Sequence, residues 1–307
     1  MLVDGLGLGP EDPERNPLLV AEMPCLYGLF EGHPHLFVER EQALWGAGAV
    51  SVVTDAVMGV PGLPQSASGQ TSILAGENAQ ALLGYHLNGK PNDALARVLR
   101  QRGIFGAVRD AGRRGEFINA FRPSSLERMA KGTYVPSATT VSAMAGGVRL
   151  RTFEDLARGE AVYNDITNES VADGERGGIE VITPDLAGRR AAALARLSDF
   201  TLFEYFLTDL AGHSRSRLAA LLALERLDRF IGAVISRLDP RRDTVVVCSD
   251  HGNIEDLGVR THTRNPVGTI VWGLGHEDAV RIRSLVDIKP FVLELVLRRS
   301  RCEGRSR

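Results

Sequence analysis

Three short runs in the C-terminal third carry residue types that can do chemistry together. Asp209-Leu-Ala-Gly-His213 sets a carboxylate and an imidazole four residues apart, a spacing that puts both on one face of a helix. Ser249-Asp250-His251-Gly-Asn253 follows the apolar run Thr244–Cys248 and sets a carboxylate next to an imidazole. Adjacent residues of a straight strand point to opposite faces. Where the chain turns at Gly252, both can approach one ion or diverge to two neighbouring ones. Thr261-His262-Thr-Arg-Asn-Pro266 adds a third imidazole, the commonest kind of metal ligand. Taken singly, each run also reads as something ordinary: an exposed Asp with a helix His, a turn, a solvent-facing loop His. Taken together they offer enough ligands for two divalent ions. A close pair of ions can clamp the attacking and leaving oxygens of a phosphoryl transfer.

Two N-terminal positions join this set. Met1-Leu-Val-Asp4-Gly5 is a short apolar strand that ends in a carboxylate and a glycine-rich turn. Asp4 is either a metal ligand or the turn residue of an Asp-Gly pair. Ser66 lies in the loop Gly59–Thr71, just before a helical pattern around Ile73–Leu83. There it is either an N-cap or a hydroxyl placed where free N–H groups and the helix dipole favour a phosphate. Ser68, Thr71 and Ser72 are rival hydroxyls. His33, His35, His86 and His276 have no carboxylate at ligand spacing after a strand and read as ordinary surface or loop residues.

The elements that must position these side chains alternate between strand and helix. Apolar or branched runs predict strands at Ala49–Val53, Gly103–Val108, Phe200–Leu207, Val245–Cys248 and Thr269–Trp272. Helical spacing appears at Ala94–Gln101, Ser137–Ala145, Phe153–Val162, Leu186–Leu197 and Ser284–Leu297, and most clearly over 215–238, where Leu224, Leu227, Ile231, Val234 and Leu238 recur. This alternation predicts an α/β fold, a mostly parallel sheet sandwiched by helices. Asp4, Ser66, Asp209 and Asp250-His251 all fall after strands, and in such folds ligands bind outside the carboxyl ends of the strands.

Bulk properties narrow the class. The chain has 307 residues, 44% hydrophobic and 24% charged, an ordinary globular composition. A net charge of −2 leaves no electrostatic footprint for nucleic acid. The basic stretch from Arg298 to Arg307 reads as a solvated tail. Three dispersed cysteines, Cys25, Cys248 and Cys302, imply no disulfide framework. No run reaches the ~18 apolar residues of a membrane span, and no leader pattern opens the chain. The expected setting is cytoplasmic, with no membrane partner.

In this order, the early Asp-Gly, the Ser in a glycine-rich loop, Asp-x3-His, Asp-His and the later His resemble the metal-dependent alkaline phosphatase superfamily. The branch they resemble holds cofactor-independent phosphoglycerate mutase and phosphopentomutase. Ser249-Asp-His-Gly-Asn253 and His262-Thr-Arg-Asn-Pro-Val267 are the specific matches. The resemblance covers about 1–85 and 186–275. It implies a core over 1–88 and 186–307 with a smaller cap domain inserted at 89–185. It also implies two metals, manganese or zinc. Asp209, His213 and His262 would hold one, and Asp4, Asp250 and His251 the other. Ser66 would be the nucleophile that is transiently phosphorylated, since Ser66-Ala-Ser-Gly-Gln70 aligns with the family's Ser/Thr-x-x-Gly-His. Gln70 departs from that pattern. The implied activity is phosphomutase or phosphohydrolase action on a small phosphorylated metabolite. The alternative is a metal-binding sensor that keeps the fold without turnover, and Ser66 argues for the enzyme. Within 89–185, Arg122 and Arg109 are the expected substrate contacts, because guanidinium groups suit bidentate recognition of phosphate or carboxylate. A cap that closes would exclude water and favour a mutase. One that stays open would favour a hydrolase.

Overall fold

The computed structural model describes residues 1–30, 42–171, 173–175 and 177–303; His33, His35 and the end of the basic tail lie outside them. The described strands are β1 (Leu2–Val3), β2 (Ala43–Gly46), β3 (Ala49–Thr54), β4 (Gly115–Phe117), β5 (Ala120–Phe121), β6 (Arg151–Thr152), β7 (Phe200–Leu202), β8 (Glu204–Tyr205), β9 (Thr244–Ser249) and β10 (Val267–Gly273). The described helices are α1 (Pro24–Leu29), α2 (Ser66–Ala75), α3 (Ala79–Leu83), α4 (Asp93–Arg102), α5 (Ile104–Asp110), α6 (Pro123–Ala130), α7 (Ala138–Ala145), α8 (Phe153–Ala157), α9 (Pro184–Ala195), α10 (Leu207–Ser214), α11 (Arg217–Ile235) and α12 (Ile288–Glu303).

Six strands form one sheet in the order β2-β3-β10-β9-β1-β8. β1 pairs in parallel with β8 and with β9, while β10 runs antiparallel to β9 and β3. Strands β1, β3, β8 and β9 therefore run in one direction, and β2 and β10 run against them. β4 pairs in parallel with β7, immediately before β8, and β5 with β6. The sheet is thus mixed, with four of its six strands running in one direction, and β10 is the return strand that brings the His262 loop to the same edge as the exits of β1, β8 and β9.

The sheet's side chains alternate between two cores, as strand geometry requires. Val3, Val247, Ile270 and Trp272 face one cluster, with Ala187, Leu224, Leu227 and Phe230 of α9 and α11. Leu2, Val50, Cys248 and Val271 face the other, with Ile73, Leu99, Phe105, Val141 and Phe291 from α2, α4, α5, α7 and α12. Helices cover both faces.

One sequence expectation meets a different arrangement. Residues 103–108, expected as a strand, lie mostly in α5. Ile104, Phe105 and Val108 are buried, and their spacing is one helical face rather than an alternation. α4 and α7 pack on each other and on α2, and Leu99, Phe105, Phe117 and Val141 belong to the same core as Leu2 and Val50. A separate small core, with Ala120, Phe153, Leu156, Ala161, Tyr163, Val171 and Ile179, begins only beyond β4.

Candidate metal centre

The carboxyl ends of β1, β8 and β9 deliver their carboxylates to one place. Asp4 follows β1, Asp209 lies in the first turn of α10 beyond β8, and Asp250-His251 follows β9. Two glycines let the backbones close in. A Cβ on Gly69 would stand 2.7 Å from the Asp250 carbonyl oxygen. Gly5, at φ +70°, has Asp209 against it at 2.9 Å from the same hypothetical atom, so only glycine serves there.

Two ligand groups result. Asp4, Asp250 and His251 offer donor atoms that all lie within 4.8 Å of one another, and so do Asp209, His251 and His262. In the inner group the His251 Nε2 is 3.1 Å from Asp4 Oδ1 and 3.8 Å from Asp250 Oδ2. Asp250 and His251 are wholly buried. In the outer group, His262 Nε2 is 3.4 Å from Asp209 Oδ1, and His213 Nε2 is 3.4 Å from Asp209 Oδ2 and 3.1 Å from His262 Nε2. The rings of His251 and His262 stack at 3.8 Å. All six expected ligand residues are therefore gathered, with His251 at the junction and His213 the most exposed.

Electrostatics mark this as a place for cations. Asp250 Oδ2 is buried without a hydrogen-bond donor, and Asp4 Oδ1 has only the His251 ring nitrogen at 3.1 Å, an expensive condition for carboxylate oxygens. Burial, and then the neighbouring Asp4, push the Asp250 carboxyl well above its usual range. Burial opposes charge on His251, yet Asp250, Asp4 and Asp209 outweigh it and raise the imidazole to about 10. Asp209 behaves oppositely. Burial works against its charge, but His262, His251 and Asn253 hold its carboxyl down at about 2. Buried carboxylate oxygens beside imidazole nitrogens fit divalent ions, and no thiolate is among the donors.

Ser66 opens α2, and its Oγ is 3.0 Å from His251 Nε2. The rival hydroxyls are engaged elsewhere: Ser68 with Gln65 O, Thr71 with Ala67 O, and Ser72 with Ser68 O and Gln80. The two expected substrate arginines are not brought to this cluster. Arg122 donates to Tyr163 and to the Ser170 carbonyl. Arg109 donates to Asp110 and the Ala145 carbonyl at the end of α7. Both follow apolar runs, and the backbone beyond those runs turns their guanidinium groups to local acceptors.

Several residues around the ligands escaped the sequence reading. Asn253 donates to Asp209 Oδ1 at 2.6 Å; it stands in the Asp-His-Gly-Asn run, where its position was visible but its task was not. Gln70 donates to Asp4 Oδ2 at 3.1 Å. Glu204, buried in β8, accepts from Thr139 at 2.6 Å. Burial is the main cause that lifts its carboxyl to about 7, with Thr139 opposing and Asp4 adding. A lone carboxylate within the apolar run Phe200–Leu207 was the available signal. Glu255 accepts from Gly7 and Asn253 backbone N–H groups and from Thr263 and Asn265, and no sequence pattern announced it.

Known proteins resemble parts of this chain or its fold. Residues 184–298 match the family model of the Metalloenzyme superfamily. A 2,3-bisphosphoglycerate-independent phosphoglycerate mutase of Paracoccus denitrificans is 32% identical over 124 residues, which is 38% of this chain and 24% of the relative. The Agrobacterium fabrum mutase is 34% identical over 105 residues, 32% of this chain and 21% of that one. The chain thus spans about a quarter of the length of the curated relatives it matches. Among solved structures, the PH0037 protein from Pyrococcus horikoshii superposes with a TM-score of 0.59 at 17% identity, covering 97% of this chain and 96% of that one. The cold-active alkaline phosphatase of a psychrophilic Shewanella reaches 0.50 at 12% identity, covering 96% and 98%. The fold is that of the alkaline phosphatases. Over residues 184–298 the chain is similar to the Metalloenzyme superfamily, and its partial relatives are 2,3-bisphosphoglycerate-independent phosphoglycerate mutases.

Proposed function

We propose that this chain transfers a phosphoryl group of a small phosphorylated metabolite through a phosphoserine on Ser66, as a mutase or a hydrolase. One observation carries the reading: the Ser66 hydroxyl alone among its neighbours faces the cluster of buried carboxylate oxygens, 3.0 Å from His251. Asp4, Asp250 and His251 would hold one divalent ion, and Asp209, His213 and His262 the other. Oxygen and imidazole donors suit manganese or zinc. Bound there, the ions supply activation of a weak serine nucleophile and offset charge on the transferring oxygens.

The chain's own residues do the rest. The first turn of α2 presents free N–H groups and the positive end of its dipole to an incoming phosphate. Ser66 Oγ forms the new bond to phosphorus as the bond to the substrate's ester oxygen breaks. A hydroxyl of the same metabolite, or water, then takes the phosphoryl group and frees Ser66. Asn253 and Gln70 fix the orientation of Asp209 and Asp4. No described helix is long and apolar enough to cross a membrane.

The test is to incubate the metal-loaded chain with a panel of phosphosugars and phosphoglycerates and follow products by phosphorus NMR. Isomer formation identifies a mutase and phosphate release a hydrolase. No turnover of any phosphomonoester, with metals bound, contradicts the reading.

A further inference from the structure

A second concentration of charge lies around β4 and β6, in the two small sheets. Arg113 and Arg114 precede β4, Arg149 and Arg151 lie before and at the start of β6, and Arg109 lies in the last turn of α5. All five line one cavity of about 390 Å³, with Glu116, Phe105 and the Gly146-Gly147 turn after α7. That volume lies within the usual range for small-molecule sites, ~300–1,000 Å³. β4 and β7 pair in parallel, and Arg113 and Arg114 lie just before the amino end of β4. Asp4, Asp209 and Asp250 lie beyond the carboxyl ends of β1, β8 and β9.

The guanidinium groups exceed what their acids satisfy. Glu116 is the single carboxylate in the lining, and it is shared: Arg114 donates to Oε1 at 2.7 Å and Arg151 to Oε2 at 2.7 Å. Arg113 pairs with Asp199 at only 3.4 Å. Arg149 pairs with Asp155, which Arg158 also engages. The Arg151 side chain is 12% exposed, and its Nε is buried with no acceptor. Each guanidinium has five N–H donors in a fixed fork, so several remain free to meet an oxyanion. Such forks match phosphate oxygens in pairs. A tight turn at Gly146-Gly147, with Gly147 at φ +75°, forms part of the wall.

We propose that this arginine-lined cavity binds a small anion carrying at least two phosphoryl groups. Lined by neither Ser66 nor any of the six candidate metal ligands, it takes an effector and not the reacting substrate. The inference stands apart from the assignment of the metal centre.

Binding of labelled inorganic pyrophosphate to the full chain, by equilibrium dialysis with a chelator present, tests it. The expected result is one saturable site per chain that weakens as salt rises. The Arg149→Gln/Arg151→Gln pair should weaken binding at least tenfold. Because Arg151 is nearly buried, a second pair of exposed positions, Arg114→Gln/Arg149→Gln, guards against misfolding and should weaken binding severalfold. Asp250→Ala should bind as the parent does, whatever becomes of the proposed metal centre. Inorganic phosphate and succinate should bind at least tenfold more weakly than pyrophosphate. Four outcomes would overturn the proposal: no saturation at millimolar pyrophosphate, parent-like binding by both arginine pairs, loss of binding in Asp250→Ala, or equal binding of phosphate or succinate.

Discussion

The two ligand groups at the carboxyl edge share His251 yet solve opposite problems. The outer group is supported by protein: Asn253 donates to Asp209, and the Pro64 carbonyl lies 2.9 Å from His262 Nδ1. Its carboxyl is held low. The inner group leaves Asp250 Oδ2 without a donor and buries it beside Asp4, so the Asp250 carboxyl is pushed high by burial first and by Asp4 second. Neighbouring ligands of the same chemistry can thus be preorganised either by hydrogen bonds or by leaving an oxygen bare for a cation. The inner group carries the greater electrostatic debt when no cation is present.

Substitutions should separate the groups. The largest effect is expected from Asp250→Asn: activity falls to background and inner-site metal is lost, as measured by turnover and elemental analysis. In chelator the same variant should be more stable than the parent by about 1 kcal/mol or more, a rise of roughly 2–4 °C in Tm, because a crowded buried carboxylate has been removed. A lower Tm in chelator would break the contrast. Ser66→Ala should abolish the phosphoenzyme seen by intact-protein mass spectrometry while metal content and Tm stay at parent values. A phosphate mapped to Ser68 or Thr71 would move the nucleophile. Asn253→Ala should loosen Asp209 and weaken the outer ion by roughly 10–100-fold with the inner ion retained, as read by metal titration.

The last effect concerns stability alone and falls on Glu204. Its folded carboxyl titrates at about 7 against 4.5 when unperturbed. The native state therefore holds the proton more tightly than the unfolded chain. The stabilisation is complete below about pH 4.5 and is lost as pH rises through about 7, with a slope of at most ~1.4 kcal/mol per pH unit. Glu204→Gln in chelator should flatten that slope in denaturant titrations. An unchanged slope would show that Glu204 is not the group responsible.

Much of the ligand set was legible because it falls in local patterns. A strand followed by Asp-Gly or Asp-His, and an Asp-x3-His on a helix, can be read without knowing the partner elements. The strands of the sheet were legible for the same reason, since Val3, Val247 and Ile270 sit in short branched runs. What was hidden depended on long-range contact. Glu204 gains its neighbour Thr139 from 65 residues away, and Gln70 meets Asp4 across 66. Arg109 and Arg122 show the same dependence: a guanidinium's type is legible in the sequence, but the chain path decides which acceptors it reaches. Residues 103–108 were misread because branched and aromatic residues outweighed a short helical period.

The claim of two ions held by two unlike groups is tested most directly by native mass spectrometry of the metal-loaded chain beside Asp250→Asn and Asp209→Asn. The account predicts two divalent ions per parent chain, the inner one lost in Asp250→Asn and the outer one lost in Asp209→Asn. A parent chain that never takes up more than one ion, or variants that both keep two, would contradict it.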